Sequence, residues 1–123
     1  MLDKKIVIVD DDESIRKTFF LLLSDRYNVY LARDAREALA RFEKARIDMI
    51  IADLRLPQKN GLQMLVDFRQ SGYEGRIILI SACADQVRRE DLEKLRVDRM
   101  FIKPLDLRLL TETIDLLLSG NMP

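Results

Sequence analysis

Four short apolar runs, separated by stretches of helical period, each stop on a residue that carries chemistry. Ile6-Val7-Ile8-Val9 runs into Asp10-Asp11-Asp12-Glu13, and Asp48-Met49-Ile50-Ile51-Ala52 into Asp53. Ile77-Ile78-Leu79-Ile80 runs into Ser81-Ala82, and Met100-Phe101-Ile102 into Lys103-Pro104. Short β-branched runs alternating with longer amphipathic stretches argue for βα units and a parallel sheet. With a weaker run added, strands are expected near 5–9, 27–31, 48–52, 77–80 and 99–102.

The stretches between them read as helices. The first covers 14–25 and turns Ile15, Phe19, Leu22 and Leu23 to one side. Asp34-Ala35-Arg36-Glu37 has the form of a capping box opening a second helix to about Lys44. A third begins near Gly61 with Leu62, Leu65, Val66 and Phe68 inward, and a fourth covers 85–95. The fifth opens at Asp106, runs through Leu107, Leu110, Ile114 and Leu117, and stops at Ser119-Gly120 with Pro123 beyond. Five such units with short loops and no repeat fit an open, doubly wound α/β sandwich, with alternate helices on opposite faces. In such sheets ligands sit outside the carboxyl ends of the strands, where strand order reverses. Asp10, Asp11, Asp53, Ser81 and Lys103 are expected to converge there.

Composition narrows the function classes. At 123 residues the chain fits one domain with a real core. Lysine plus arginine equals aspartate plus glutamate at 21 each, so global charge draws it neither to nucleic acid nor to an anionic membrane. The longest apolar runs fall short of the roughly 18 residues of a membrane span, and Asp3-Lys4-Lys5 opens no signal peptide. One cysteine, Cys83, rules out an internal disulfide, suits a reducing compartment, and reads as a small filler near the sheet edge. The expected setting is cytoplasmic. With no histidine, His-based zinc sites, Ser-His-Asp triads and a phosphohistidine of its own are excluded. Glycine is equally telling: Gly61, Gly72, Gly75 and Gly120 build neither a G-x-G-x-x-G nor a Walker A loop, which argues against a nucleotide held by backbone amides.

Acid stands where glycine would. Carboxylates in contact repel by roughly 4 kcal/mol per pair at about 4 Å and an effective dielectric near 20. A cluster of Asp10, Asp11 and Asp53 therefore needs a cation. Mg²⁺, which accepts one or two carboxylates, a carbonyl and several waters, suits Asp11, Asp53 and a backbone oxygen just after Asp53, and turns such a cluster into a phosphate site. Taken singly, each feature has a plain structural reading: an acidic helix N-terminus for residues 10–13, a loop residue or cap for Asp53, a turn hydroxyl for Ser81, a solvated lysine for Lys103. Their order at successive strand ends is what carries the functional reading.

That order resembles the receiver domain of bacterial two-component response regulators. The resemblance rests on Val9-Asp10-Asp11-Asp12, Ala52-Asp53-Leu54-Arg55-Leu56-Pro57 with Gly61, Ile80-Ser81-Ala82 and Ile102-Lys103-Pro104, and covers nearly the whole chain. It implies a flavodoxin-like (βα)5 sandwich of strand order 2-1-3-4-5 over residues 1–120, with 121–123 a tail or the start of a linker. It also implies a phosphoacceptor signalling domain rather than a turnover enzyme. Asp53 would take a phosphoryl group from a partner histidine kinase or histidine phosphotransfer protein. Asp11, Asp53 and the Arg55 carbonyl would hold Mg²⁺, Asp10 would act through a bound water, and Ser81 and Lys103 would contact phosphoryl oxygens, with Ala82 leaving them room. Drawing Ser81 inward would repack the fourth helix, fifth strand and fifth helix. The signal would pass to an output domain or a downstream protein, with no direct nucleic-acid binding by this domain. The chain would be a stand-alone receiver or the front of a larger regulator.

One position departs from the family pattern. Three residues before the lysine, where Tyr or Phe is usual, stands Met100, with Phe101 pointing to the opposite face by strand alternation. Two rivals follow. A haloacid dehalogenase-like phosphatase would use Asp10 as nucleophile in the D-x-D of Asp10 and Asp12, against which stand the short chain, the absent cap insertion and late acidic pair, and Asp53 with its trailing proline. An unphosphorylated receiver-like interaction module is the second, motivated by Met100.

Overall fold

All the expected strands form, within a residue of their expected bounds. In the computed structural model, which describes residues 3–119, they are β1 (Lys5–Val9), β2 (Asn28–Ala32), β3 (Met49–Asp53), β4 (Arg76–Ser81) and β5 (Arg99–Ile102). They make one parallel sheet of order β2-β1-β3-β4-β5. Residues 6–9 and all of β3 are buried, which is why these two segments read as unbroken apolar runs rather than as alternation.

Five helices cover the two faces: α1 (Glu13–Leu23), α2 (Ala35–Phe42), α3 (Gly61–Gln70), α4 (Arg89–Lys94) and α5 (Leu107–Leu118). They do not alternate as expected. Ile6, Ile8, Met49, Ile51, Ile78, Ile80 and Phe101 pack with Phe19 and Leu23 of α1 and Leu110 and Ile114 of α5. Val7, Val9, Ile50, Ala52, Ile77 and Leu79 pack with α2, α3 and Leu95 at the end of α4. The reason is handedness. The chain steps one way from β1 to β2 and the other way in every later crossover, so right-handed connections leave α1 on one face and α2, α3 and α4 on the other. The single reversal falls between β1 and β3, whose ends carry the aspartates.

Side-chain caps start four of the helices. Asp12 accepts from the Ser14 and Ile15 amides, Asp34 from Glu37 N at 2.8 Å, and Asp106 from Leu109 N at 3.1 Å. The reciprocal arm expected at α2 is displaced by a residue, for Glu37 Oε1 accepts from Arg33 N at 2.8 Å rather than from its cap. The complete capping box lies on α3, between Asn60 and Gln63.

Three expectations are corrected. The fourth helix is not continuous over 85–95: a single 3-10 turn, Ala84–Gln86, is followed by extended backbone at Val87 and Arg88 before the six residues of α4. Val87 is buried, and keeping it inward breaks the helical register. On α3, Met64 occupies the interior and Val66 is 37% exposed; on α5, Leu107 is exposed while Leu118 is buried. Cys83 is exposed, beyond the sheet edge rather than filling it, with Sγ 2.6 Å from Asp85 Oδ1. The expected stop at Gly120 and Pro123 lies outside the described residues.

Candidate functional site at the carboxyl edge of the sheet

Asp10 immediately follows β1, Asp11 comes next, and Asp53 ends β3 beside it. One carboxylate oxygen from each lies within 4.8 Å of the others. Asp10 and Asp53 are only 2% and 5% exposed, whereas Asp11 faces solvent. Burial is the main force raising Asp10, to about 6; the Asp12 amide, donating to Asp10 Oδ1 at 2.9 Å, opposes it, and repulsion from Asp53 and Asp11 adds to it. Asp53 is also raised from its ordinary value by burial, against the pull of Lys103 and a hydrogen bond from the Arg55 amide.

Lys103 is the counter-charge, its Nζ 3.2 Å from Asp53 Oδ1. Strand pairing sets it there. Asp53 is in register with Ile80, Ser81 with Ile102, and Lys103 N donates to Ser81 O at 2.9 Å, so three strand ends stack in a row. The Lys103-Pro104 peptide is cis. Three close carboxylates against one ammonium leave the site short of positive charge, and its all-oxygen donor set suits a hard divalent cation.

The backbone around Asp53 is held from beneath. Gly61, the first residue of α3, donates to Leu54 O at 2.8 Å, and a Cβ there would lie 2.5 Å from Asp53 O. Only glycine lets α3 start this close to the strand. Arg16 of α1, which the motif reading passed over, donates from a guanidinium nitrogen to Asp10 O at 2.7 Å and fixes the loop after β1. Nothing in the sequence marks Arg16 beyond its position one turn into the helix. Asp12, the second acid of the D-x-D, is committed to capping α1, which weighs against a phosphatase arrangement.

Ser81 is 1% exposed, and its hydrogen bonds lie in its own loop. Oγ donates to Cys83 O at 2.8 Å, accepts from Cys83 N at 3.1 Å, and lies 3.1 Å from Gln86 Oε1. Met100 is half-buried on the α2–α4 face, against the apolar cluster that holds Val87 and Leu95, and Phe101 is on the α1–α5 face, as strand alternation required.

A family model for the response regulator receiver domain matches residues 6–115. The chain belongs to that family. Among curated relatives, the receiver is 31% identical over 114 residues to response regulator RR06 of Streptococcus pneumoniae, covering 92% of this chain and 52% of that protein. It is 32% identical to transcriptional regulatory protein CiaR of the same species, covering 95% and 52%. The receiver thus spans about half the length of the curated relatives it matches. Among solved structures it resembles chemotaxis protein CheY4 of Vibrio cholerae, with a TM-score of 0.83, 29% identity and 94% and 98% of the two chains covered. Response regulator protein TrrA of Thermotoga maritima, solved in complex with Mg(2+)-BeF, gives a TM-score of 0.79 at 29% identity over 94% and 99%. Among the described residues of this receiver, no helix is long and apolar enough to cross a membrane.

Proposed function

We propose that this receiver accepts a phosphoryl group on Asp53, in a Mg²⁺-dependent reaction, from a phosphohistidine of a partner histidine kinase or phosphotransfer protein. The observation that carries the reading is the carboxylate cluster of Asp10, Asp11 and Asp53 with the Lys103 ammonium 3.2 Å from Asp53. Asp11, Asp53 and the Arg55 carbonyl would hold the metal, with Asp10 acting through a water. Bound Mg²⁺ would supply neutralising charge for the transferring phosphoryl oxygens. An Asp53 carboxylate oxygen attacks phosphorus as the bond to the histidine nitrogen breaks, the electron pair leaves on the imidazole, and an acyl phosphate remains. Lys103 stabilises the charge that grows on the equatorial oxygens.

The Ser81 hydroxyl is then drawn toward the phosphoryl group, and the packing of α4, β5 and α5 changes with it. Met100 fills the space at β5 in place of a ring. Since the relatives are about twice as long, the output is assigned to a further domain or a separate protein, with residues 1–120 the signalling unit and the cytoplasm its setting. The chemistry is tested with acetyl phosphate: intact-mass analysis should show one added phosphoryl group with Mg²⁺ and none in excess chelator. Full labelling without a divalent cation, or multiple turnover of other phosphate esters, would overturn the assignment.

A further inference from the structure

Helix α4 is attached unlike the other four. Asp12, Asp34, Asn60 and Asp106 cap α1, α2, α3 and α5 with side-chain oxygens, but Arg88 gives α4 no side-chain cap and Cys83 gives none to the 3-10 turn before it. A missing cap leaves a helix start less secure, and α4 is only six residues long. Its far end is nonetheless secured. Arg69 of α3 donates to Leu95 O at 2.8 Å and Arg96 O at 3.2 Å, just past the last turn of α4. At the near end, Val87 is buried with Leu79 and Leu95, and Gln86 Oε1 stands 3.1 Å from Ser81 Oγ.

We propose that Gln86 is a positioning residue that latches Ser81, and with it the entry to α4, in the unphosphorylated arrangement. This rests on Ser81 being the hydroxyl that the phosphoryl group recruits. The serine hydroxyl has a single proton, shared between Cys83 O and Gln86 Oε1. A phosphoryl oxygen on Asp53 accepts the hydrogen bond of that hydroxyl, whose proton stays on Ser81, and Gln86 loses its partner. The 3-10 turn then loses its side-chain tie to Ser81 and is anchored to the core through Val87, while Arg69 still pins the other end, so α4 pivots about its C-terminus. Val87 and Met100 share one apolar cluster, which carries the motion to β5. Gln86 thus sets how much of the free-energy difference between the two packings must come from the phosphoryl group.

The test is an NMR titration of the whole chain with beryllium fluoride, a phosphoryl mimic, at saturating Mg²⁺. Gln86→Leu shortens the side chain by one atom and removes the acceptor; it should bind the mimic about fivefold tighter, a gain of about 1 kcal/mol. Its free-state Val87 and Met100 amide signals should move part-way along the line joining wild-type free and bound positions. Gln86→Glu restores an acceptor and should return both to wild-type values or beyond. In a Ser81→Ala background Gln86→Leu should change nothing, because its partner is gone. Unchanged affinity in Gln86→Leu, or the same gain with and without Ser81, would overturn the latch. A wild-type chain that does not respond to the mimic would instead remove the phosphoacceptor reading, and the latch with it.

Discussion

Lys103 sits where two demands conflict. It relieves Asp53 at 3.2 Å, yet it repels any divalent cation bound by the same carboxylates. Lys103→Ala should therefore tighten Mg²⁺ binding roughly fivefold, about 1 kcal/mol of relieved repulsion, while abolishing the NMR shifts that beryllium fluoride produces across α4 and β5. Weaker Mg²⁺ binding, or wild-type shifts, would show that the lysine is not the group reading the phosphoryl charge. Asp10, Asp11, Asp53 and Lys103, which the fold brings together at one sheet edge, were legible in the sequence because each is a charged residue placed at or just after the end of an apolar strand. Arg16 and Gln86 were not. Each acts through one neighbour, Asp10 O at 2.7 Å and Ser81 Oγ at 3.1 Å, and an arginine or glutamine on a helical turn has no pattern to distinguish it from a solvated one. Cys83 misled for a related reason: a small apolar type after a strand reads as filler, but the turn that closes on Ser81 carries it outward.

At the level of elements, the close start of α3 on β3 makes the site sensitive to a residue that does no chemistry. Gly61→Ala places a Cβ 2.5 Å from Asp53 O, against backbone that cannot swing away, so α3 and the end of β3 must separate. Stability in urea should fall by about 1–3 kcal/mol and Asp53 should label more slowly with acetyl phosphate, since the carboxylate no longer faces Lys103 correctly. A variant with wild-type midpoint and labelling rate would show that the contact is not limiting. Strands were read closely because β1 and β3 are buried on both sides and announce themselves as unbroken apolar runs. The fourth helix was not, because 85–95 has helical composition but must turn Val87 into the core, and that burial outweighs the local preference. Val66 against Met64 is the same lesson on α3: two apolar residues compete for the inward face, and the position of the cap at Asn60 decides which wins.

For the whole molecule, one reversal in the order in which parallel strands are added to the sheet accounts for both the arrangement of the layers and the placing of the site. It parts β1 from β3 in chain order while leaving them neighbours in the sheet, so their carboxylates meet without any helix crossing between them. The same geometry pairs Asp53 with Lys103 and leaves Asp10 and Asp11 without that counter-charge, which supports the proposed division of roles between a phosphoacceptor at Asp53 and metal-holding carboxylates, against a phosphatase acting through Asp10. That division is tested most directly by locating the phosphoryl group. After reaction with acetyl phosphate and Mg²⁺, borohydride reduction and peptide mass spectrometry should find the modified aspartate at Asp53, and Asp53→Asn should carry no label. A label at Asp10 that survives Asp53→Asn would contradict the account.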